Sequence, residues 1–263
     1  VATSNTYTVT VTNTNGCTAT AQYTVDATQI ATIANFSGDY TVGAMANPLG
    51  VYATNTETWN NPSGLRIAGQ IIIPNGKHLI IDQTTLEMIG HDSRITVQKG
   101  GKMTVTNQAV LRGDACTNDY WKGIRVLGDG TGHTGNIPQV NFNTGHYGWL
   151  RVFNGSTIQD AQIGIANTDD DLSTANAGGI ISCTASNLID NGQGVFLMPV
   201  KKYNNCSIIT DNQFSFTKTY NYPYLSGSLT QQIGMVAVLT RFSNNLQNNR
   251  FVNTTNNNII DLG

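Results

Sequence analysis

The stretch Leu79-Ile-Ile-Asp-Gln-Thr-Thr-Leu86-Glu-Met88 is followed, 24 residues later, by the similar stretch Met103-Thr-Val-Thr-Asn-Gln-Ala-Val110-Leu-Arg112. Each stretch alternates apolar and polar residues, turns through a short polar corner, and continues as a second strand. Such a unit cannot bury its apolar face alone, so it stacks on its neighbours as one coil of a solenoid. The repeat predicts an all-β fold, a right-handed parallel β-helix, with the hand taken from the general rule for parallel crossovers.

The same alternating pattern recurs further along the chain. Residues 157–165 recur 30 residues later as residues 187–195, and looser copies begin at Asn212 and Asn249. At about 24 residues per coil, with room for insertions, we expect on the order of seven or eight coils. The aliphatic residues predicted to stack in the interior are Ile81, Leu86, Val105, Val110, Ile158 and Leu188.

Composition supports strands and limits the partners. Charged residues make up 11% of the chain, against about a quarter in a typical domain, and Thr, Asn and Gly take their place. Thr favours strands, while Asn and Gly favour tight corners. A net charge of −2 without a Lys/Arg cluster disfavours nucleic acid as a partner. No membrane span is predicted, because the apolar run Ile71-Ile-Ile73 ends at Pro74, far short of roughly 20 residues.

The chain divides into three parts by pattern. Residues 1–26 are two alternating strands around Asn15-Gly16, a strong hairpin signal. A lone hairpin is marginally stable, so this one is interpreted as the end of an immunoglobulin-like domain, or as a lid on the first coil. Residues 27–55 are interpreted as linker and first turn. Residues 56–263 are predicted to be the β-helix, with insertions near 113–147 and 217–232, where a solenoid usually places its binding residues.

Two sets of residues resemble known proteins. The hairpin sequence Tyr7-Thr-Val-Thr-Val-Thr-Asn-Thr-Asn-Gly-Cys-Thr-Ala-Thr20 resembles the closing strands of immunoglobulin-like repeats in large surface proteins of gliding bacteria, which the type nine secretion route exports. The solenoid resembles a β-helical module of the same group, through Thr58-Trp59, Arg66-Ile-Ala-Gly69, Ile80-Ile-Asp82, Gly100-Gly-Lys-Met-Thr-Val105 and, above all, Cys116-Thr-Asn-Asp-Tyr-Trp121-Lys-Gly123-Ile-Arg-Val126.

The resemblance covers almost the whole chain. It implies an extracellular location, with display at the cell surface or membership of a filament, and it carries over no catalytic residues. Strand patterns that reach both ends of the chain lead us to expect a fragment of a longer polypeptide, since solenoids normally cover their terminal coils.

The chain has four cysteines: Cys17, Cys116, Cys183 and Cys206. They are compatible with an exported protein, and none stands in a CxxC pair. Cys183 and Cys206 are 23 residues apart, about one coil, which leaves open a disulfide bond or two buried thiols. Aligning Leu188 with Phe214 places Cys183 opposite Ile209 and favours the thiols.

Asp160 and Asp190 occupy equivalent positions in the 30-residue repeat, and Asn253 falls in the same place two coils later. Carboxylates on adjacent coils serve β-helical polysaccharide hydrolases and lyases as acid and base, or as calcium ligands. The alternative is a corner ladder, in which short side chains bond the turn backbone coil after coil. We favour the ladder because no Arg, Lys or His aligns with the two carboxylates.

Two groups are candidate metal sites. Asp169-Asp170-Asp171 has several oxygens to offer calcium, but consecutive residues on an extended chain point to opposite sides, so a solvated loop is preferred. The second group lies in or near the first insertion and comprises Asp114, Asp119, Asp129, His133 and His146. Its spacing matches no ligand motif. No cofactor is predicted, and calcium stays open.

Tyr220, Tyr222 and Tyr224 alternate on one loop that Pro223 stiffens. Exposed tyrosines bury much surface at a low entropic cost, so they would suit a sugar ring or a protein partner. Equally, the loop would fold back and cover a hydrophobic edge of the helix. The three tyrosines are the predicted ligand-binding residues.

Three smaller patterns are given structural interpretations. Trp121 and Ile124 are predicted to fill the interior, and Gly123 to allow a close backbone approach. Asn-rich runs, including residues 244–245 and 256–258, are predicted to stack their amides from coil to coil. Arg112-Gly113-Asp114 matches the tripeptide that animal integrins recognise, and we interpret this short match as coincidence.

Together these features predict a non-enzymatic, extracellular structural or adhesive segment of a large cell-surface protein, a rigid rod whose loops bind a glycan or another surface ligand. The first alternative is a polysaccharide lyase or glycoside hydrolase, which fold analogy alone does not establish. Carboxylates beside an Arg or Lys in a groove would favour it. The second alternative is a subunit of a self-assembling filament that joins copies of itself by strand addition.

Overall fold

The computed structural model describes residues 5–12, 18–25, 34–50, 55–114, 120–130, 145–200, 206–218, 233–237, 246–253 and 258–262. The chain divides into two compact units, Val1–Ile33 and Ala34–Gly263. Within the described ranges the regular secondary structure is all β. The strands in chain order are β1 (Asn5–Thr12), β2 (Thr18–Val25), β3 (Ala34–Ser37), β4 (Tyr40–Thr41), β5 (Thr56–Trp59), β6 (Leu65–Ala68), β7 (Gln70–Ile73), β8 (His78–Asp82), β9 (Thr85–Met88), β10 (Arg94–Val97), β11 (Lys102–Thr106), β12 (Val110–Gly113), β13 (Gly123–Val126), β14 (Trp149–Val152), β15 (Thr157–Gln159), β16 (Ile163–Ala166), β17 (Ile180–Thr184), β18 (Asn187–Ile189), β19 (Gln193–Leu197), β20 (Ile208–Thr210), β21 (Gln213–Phe216), β22 (Ile233–Ala237), β23 (Leu246–Gln247), β24 (Asn249–Asn253) and β25 (Asn258–Leu262).

The first unit is an antiparallel pair of strands. β1 runs against β2 from Asn5 opposite Val25 to Thr12 opposite Thr18. This register matches the two alternating strands predicted for residues 1–26, while the turn between them lies outside the described residues. The alternation leaves Val9 and Val11 on one side of the ribbon, 59% and 64% exposed.

The second unit contains three sheets of parallel strands. The first sheet is β3-β6-β9-β12-β15-β18-β21-β24, the second is β4-β7-β10-β13-β16-β19-β22, and the third is β5-β8-β11-β14-β17-β20-β23. Each strand therefore pairs with the strands three before and three after it, so the chain visits the sheets in rotation. This arrangement is consistent with the predicted solenoid. β25 departs from it by pairing antiparallel with β24 at the end of the first sheet.

The register confirms the 24-residue repeat of residues 79–88 at 103–112 only within the third sheet. Leu79 lies opposite Met103 and Ile81 opposite Val105, an offset of 24 residues. All four side chains are fully buried, because inward residues of a parallel ladder stack on inward residues.

The prediction that Val110 faces the interior is wrong, because Leu111 takes that place. The corner before β12 is one residue longer than the corner before β9. Asn107 and Gln108 both have left-handed backbones, with φ of 55° and 62°, where the preceding coil bends at Gln83 alone. One additional residue reverses the alternation of the strand that follows.

The later copies of the repeat align as predicted. Leu188 lies opposite Phe214, and Phe214 lies opposite Phe251. The rings of the two phenylalanines stack with centroids 4.7 Å apart and planes 12° apart. Ile158 precedes Leu188 in the same column, opposite it on the neighbouring strand.

Two ranges predicted as irregular contain strands. β13 lies inside the first predicted insertion, and β3 and β4 lie inside the range assigned to linker and first turn. Ile124 within β13 and Trp121 just before it are fully buried, as expected. Gly123 has φ +98°, and a Cβ there would lie 1.8 Å from the carbonyl oxygen of Ile163, so the neighbouring strand requires glycine at this position.

Buried amides bond one coil to the next. Asn212 accepts a hydrogen bond from the Ser186 N–H at 3.1 Å, and its Nδ2 donates to the carbonyl oxygen of Cys183 at 2.8 Å and to Asn249 Oδ1 at 3.1 Å. Asn249 Nδ2 in turn donates to the carbonyl oxygen of Ile209 at 2.7 Å. Of the Asn-rich runs noted in the sequence, residues 244–245 and 256–257 lie outside the described residues, and Asn258 begins β25 opposite Asn253.

We predict that Asn212→Ala lowers the free energy of unfolding by about 1–3 kcal/mol, because it leaves buried backbone groups without partners. Urea denaturation followed by circular dichroism measures the change. Asn60→Ala is the matched control: Asn60 is exposed and bonds Asp82 Oδ2 at 3.1 Å. The control should stay within about 0.5 kcal/mol of the parent chain. Equal losses in both variants would contradict a structural role specific to the buried amides.

Candidate functional site

Asp160 and Asp190 stand at equivalent corners, as the repeat predicted. They follow β15 and β18, which pair in register, and both have left-handed backbones with φ of 55° and 51°. The register continues the column through Phe216 to Asn253. The two carboxylates thus occupy neighbouring coils at the turn from the first sheet to the second.

Asp190 is engaged by the corner of the next coil. Its side chain is only 2% exposed. One oxygen accepts from the N–H groups of Thr217 and Lys218 at 2.5 and 3.2 Å, and the other accepts from the Thr217 hydroxyl at 2.5 Å. One oxygen therefore holds backbone and the other holds the side chain of the same corner residue, which is the behaviour of a corner ladder.

Asp160 has a different environment. Lys218 Nζ lies 3.1 Å from Asp160 Oδ1, and Gln159 Nε2 donates to Oδ2 at 2.8 Å. No Arg, Lys or His aligns with the two aspartates in the described register, as expected, but Lys218 still reaches Asp160 past the intervening strand pair of Asp190. The site therefore combines two carboxylates with one ammonium group.

The three consecutive aspartates do not converge on one point. Asp169 closes its own loop: Oδ1 accepts from the Ser173 N–H at 2.8 Å and Oδ2 from Asn176 Nδ2 at 2.7 Å. Asp171 is exposed, as the solvated-loop interpretation expected. Among the described residues, no group of three or more His, Cys, Asp or Glu side chains could hold a metal ion.

Asp170 lies against three basic side chains, contrary to the solvated-loop interpretation. Arg125 Nε donates to Oδ1 at 2.8 Å, Arg94 Nη1 donates to Oδ2 at 2.5 Å, and Lys122 Nζ lies 3.5 Å from Oδ2. The three cations project from β10, β13 and the residue before β13 in the second sheet. Asp170 therefore attaches its loop to this sheet.

Burial and the neighbouring charges shift the pKa values of Asp170 and Arg125 in opposite directions. Burial works against the charged form of Asp170, but Arg125, Arg94 and Lys122 outweigh it, so the pKa of this carboxyl lies below its usual value. Arg125 is only 4% exposed, and burial lowers the pKa of its guanidinium while Asp170 opposes the shift. Since an arginine remains protonated in proteins, Asp170 is the partner that makes a buried cation tolerable.

The Arg112-Gly113-Asp114 tripeptide is engaged within the chain. Arg112 Nε donates to Glu87 Oε1 at 3.0 Å, and Arg112 Nη2 also pairs with that oxygen. Asp114 pairs with Arg66 Nη2 at 3.0 Å and is almost fully buried. Arg66, Glu87 and Arg112 are register partners on β6, β9 and β12, so these charges form a ladder across the first sheet. The arrangement supports the interpretation as coincidence.

An open cleft of about 230 Å³ lies at the corner between the second and third sheets. The residues that line it include Asn55, Thr56, Asn75, Lys77, His78 and Lys102. His78 Nε2 lies 2.9 Å from the Thr104 hydroxyl. Burial, and then the positive charge of Lys102, lower the pKa of His78 below its usual value. This cleft was not anticipated from the sequence, in which its residues fall in three separate segments, at 55–56, 75–78 and 100–102.

A buried carboxylate, Glu57, was not predicted from the sequence. Glu57 faces inward from β5, where it accepts from the Tyr40 hydroxyl at 2.6 and 2.7 Å, from the Gly43 N–H at 2.7 Å and from Trp59 Nε1 at 3.2 Å. Burial, reinforced by Glu57, raises the pKa of Tyr40 well above its usual value. These donors satisfy both carboxylate oxygens, so Glu57 is a structural polar centre in the first coil.

Several predicted residues lie outside the described ranges. They are Cys17, Cys116, Asp119, His133, Tyr220, Tyr222 and Tyr224. Of the remaining members of the second metal group, His146 Nδ1 pairs with Asp129 Oδ2 at 3.0 Å, whereas Asp114 bonds Arg66 elsewhere.

Cys183 and Cys206, the two described cysteines, are both buried, and no disulfide joins them. Cys183 lies opposite Ile209, as the alignment on Leu188 predicted, so the thiol interpretation is confirmed. Burial raises the pKa of the Cys183 thiol to about 12. A thiol in this state is a small core residue rather than a nucleophile.

Comparison with known proteins found no matching protein-family model, no matching curated protein and no matching solved structure. In the part of the chain that the structure describes, no helix is long and apolar enough to cross a membrane.

We predict that Asp170→Asn destabilises the chain by about 2 kcal/mol. Loss of one partner of a buried ion pair costs about 3–5 kcal/mol, and the carboxylate is 26% exposed, which reduces the effect. Urea denaturation at pH 7 provides the measurement. Asp171→Asn, the same change at the exposed neighbour, should have almost no effect. A comparable loss at Asp171 would contradict the pairing.

The same pair predicts a dependence on pH. Because the folded-state pKa of Asp170 lies below its usual value of 3.8, its contribution is present above that value and is lost as pH falls through the folded pKa. The difference in unfolding free energy between the parent chain and Asp170→Asn should therefore shrink below about pH 4. A difference that stays constant down to pH 2.5 would argue against a charged pair.

Proposed function

We propose that this chain is an extracellular structural and adhesive segment of a large cell-surface protein, in which the second unit is a rigid right-handed parallel β-helix. The observation that carries the proposal is the continuous core. One cluster of buried residues extends from Tyr40 and Trp59 in the first coil to Phe214 and Phe216 near the last. Bending such a stack would open close-packed layers and ladder hydrogen bonds together, so the unit resists deformation.

The use of polar side chains supports the same function. Asp190 and Asp169 bond backbone groups at corners, and Asp170 attaches a loop to the second sheet. Asn212 links one coil to the next. Side chains that bond other parts of the chain help it to resist deformation, which a stalk requires. Because their polar atoms already have partners, they are poorly placed to exchange protons with a substrate.

The first unit is proposed to be the terminal hairpin of an immunoglobulin-like domain. Val9 and Val11 give the ribbon an exposed apolar side that further strands of a sandwich would cover. The likeness of this hairpin and of the Cys116–Val126 stretch to surface proteins exported by the type nine route supports an extracellular location and attachment to a larger protein.

A polysaccharide lyase or glycoside hydrolase is the second candidate. It is favoured by one observation, the ammonium of Lys218 beside Asp160 with Asp190 one coil away. Carboxylates on adjacent coils with a basic group are suited to acid and base catalysis on a saccharide. The complete engagement of Asp190 by Thr217 and Lys218 weighs against it.

A glycan-array screen of the purified chain, with product release from acidic polysaccharides assayed in parallel with and without calcium, separates the two candidates. We expect binding without product release. Alanine substitution of Tyr220, Tyr222 and Tyr224 then tests the predicted loop as a ligand site.

Calcium-dependent cleavage that Asp160→Asn abolishes would overturn the proposal in favour of the enzyme. Lys218→Gln is the companion variant, since it removes the ammonium while leaving Asp190 and its backbone bonds in place. Absence of both binding and cleavage would contradict the adhesive role and leave a purely structural rod or a filament subunit, which light scattering at increasing concentration distinguishes.

A further inference from the structure

The cleft at the corner between the second and third sheets is built mainly from two successive corners of the chain. Asn75-Gly76-Lys77 precedes β8, and the equivalent corner one coil later contains Gly100. A Cβ at Gly100 would lie 2.0 Å from Asn75 Oδ1. The Asn75 amide therefore occupies the space that a side chain at position 100 would fill. Both corners contribute residues to the cleft.

The described lining of the cleft is basic and carries no carboxylate. Lys77 and Lys102 contribute two ammonium groups, and His78 contributes an imidazole. Further along the same corner, the carboxylate of Asp129 is paired with His146 at 3.0 Å.

The remaining lining groups are suited to hydroxyls. Asn55 and Asn75 present amides and Thr56 a hydroxyl, and all three residues are exposed. Amides and hydroxyls both donate and accept hydrogen bonds. A ligand that carries anionic groups among many hydroxyl groups would use both parts of the lining.

The register places these groups in a row. Thr56, His78, Lys102 and Trp149 lie opposite one another on β5, β8, β11 and β14 of the third sheet. Neighbouring strands are about 4.8 Å apart, so the row spans roughly 14 Å. Trp149 at its far end is half-buried and offers an aromatic surface. Exposed Arg151 follows on the same face of β14.

We propose that this row is a binding site for an acidic oligosaccharide, which lies across the strands of the third sheet with its carboxylate or sulfate groups at Lys77 and Lys102. The site rests on the proposed adhesive function and gives it a ligand class. An extended saccharide matches both the length of the row and its mixture of amide, hydroxyl, cationic and aromatic groups. Nucleic acid would need a denser array of cations than the described lining provides.

Calorimetric titration of the purified chain with four probes tests this site. The probes are oligogalacturonate for carboxylates, a dextran sulfate oligosaccharide for sulfates, a neutral dextran oligosaccharide of the same length, and single-stranded DNA. At least one acidic saccharide should bind about tenfold more tightly than neutral dextran, and the affinity should fall as salt is raised. Comparison of the first two probes identifies the anionic group.

The variant Lys77→Gln/Lys102→Gln should weaken binding of the acidic saccharide by about tenfold. Glutamine keeps the length and much of the stem of lysine, and an unchanged melting temperature establishes folding. Lys99→Gln is the matched control, because Lys99 lies in the same corner but does not line the cleft. It should stay within about twofold of the parent chain.

Three results would overturn the inference: equal affinity for acidic and neutral saccharides, equal losses in Lys99→Gln and the double variant, or tighter binding of DNA than of either acidic saccharide. Absence of binding to every probe would do so as well. If neutral glycans bind and the double variant is unaffected, the adhesive function stands and the assigned site fails. Release of saccharide products in the same samples would overturn the proposed function, whatever the double variant does.

Discussion

The hydrogen bonds between each strand and the strand one coil later determine the position of almost everything else in the second unit. In a parallel ladder, inward residues stack on inward residues, so a single register decides which side chains form the core. The column Leu188, Phe214 and Phe251 follows from it, and so does the exchange of Val110 for Leu111 after the longer corner. A slip of one residue would turn an apolar column outward, which is why the register holds across insertions of very different length.

Sharp corners let the chain pass from one sheet to the next while keeping this register. Asn154, Asp211 and Asn248 bend the chain between the third and first sheets with left-handed backbones, φ 54–59°. That conformation costs about 1–2 kcal/mol for most residues, and the short side chains of Asn and Asp reduce the cost. Buried amides such as Asn212 then bond the backbone groups that the bends leave outside the ladders. The high content of Asn, Gly and Thr is thus a consequence of turning sharply many times.

Charged residues are few, and many of those in the second unit that the structure describes form ion pairs that hold strands and loops together. Asp170 neutralises the buried Arg125 and draws in Arg94 and Lys122, and Glu87 lies between two arginines of the first sheet. In these clusters each charge meets its opposite. The cleft has a different composition, since its described lining contains Lys77, His78 and Lys102 together with amide and hydroxyl groups.

Local alternation and repetition were enough to predict the all-β parallel strands, the buried stack at Ile81 and Leu188, the equivalence of Asp160 and Asp190, and the close approach at Gly123. Each of these depends on residues that are neighbours in sequence or one repeat apart. Pairing across irregular loops could not be predicted in this way. Lys218 meets Asp160 across 58 residues and Arg94 meets Asp170 across 76. No period relates such positions, because the lengths of the intervening corners and insertions set which side chains meet, and only the folded stack of coils brings them together.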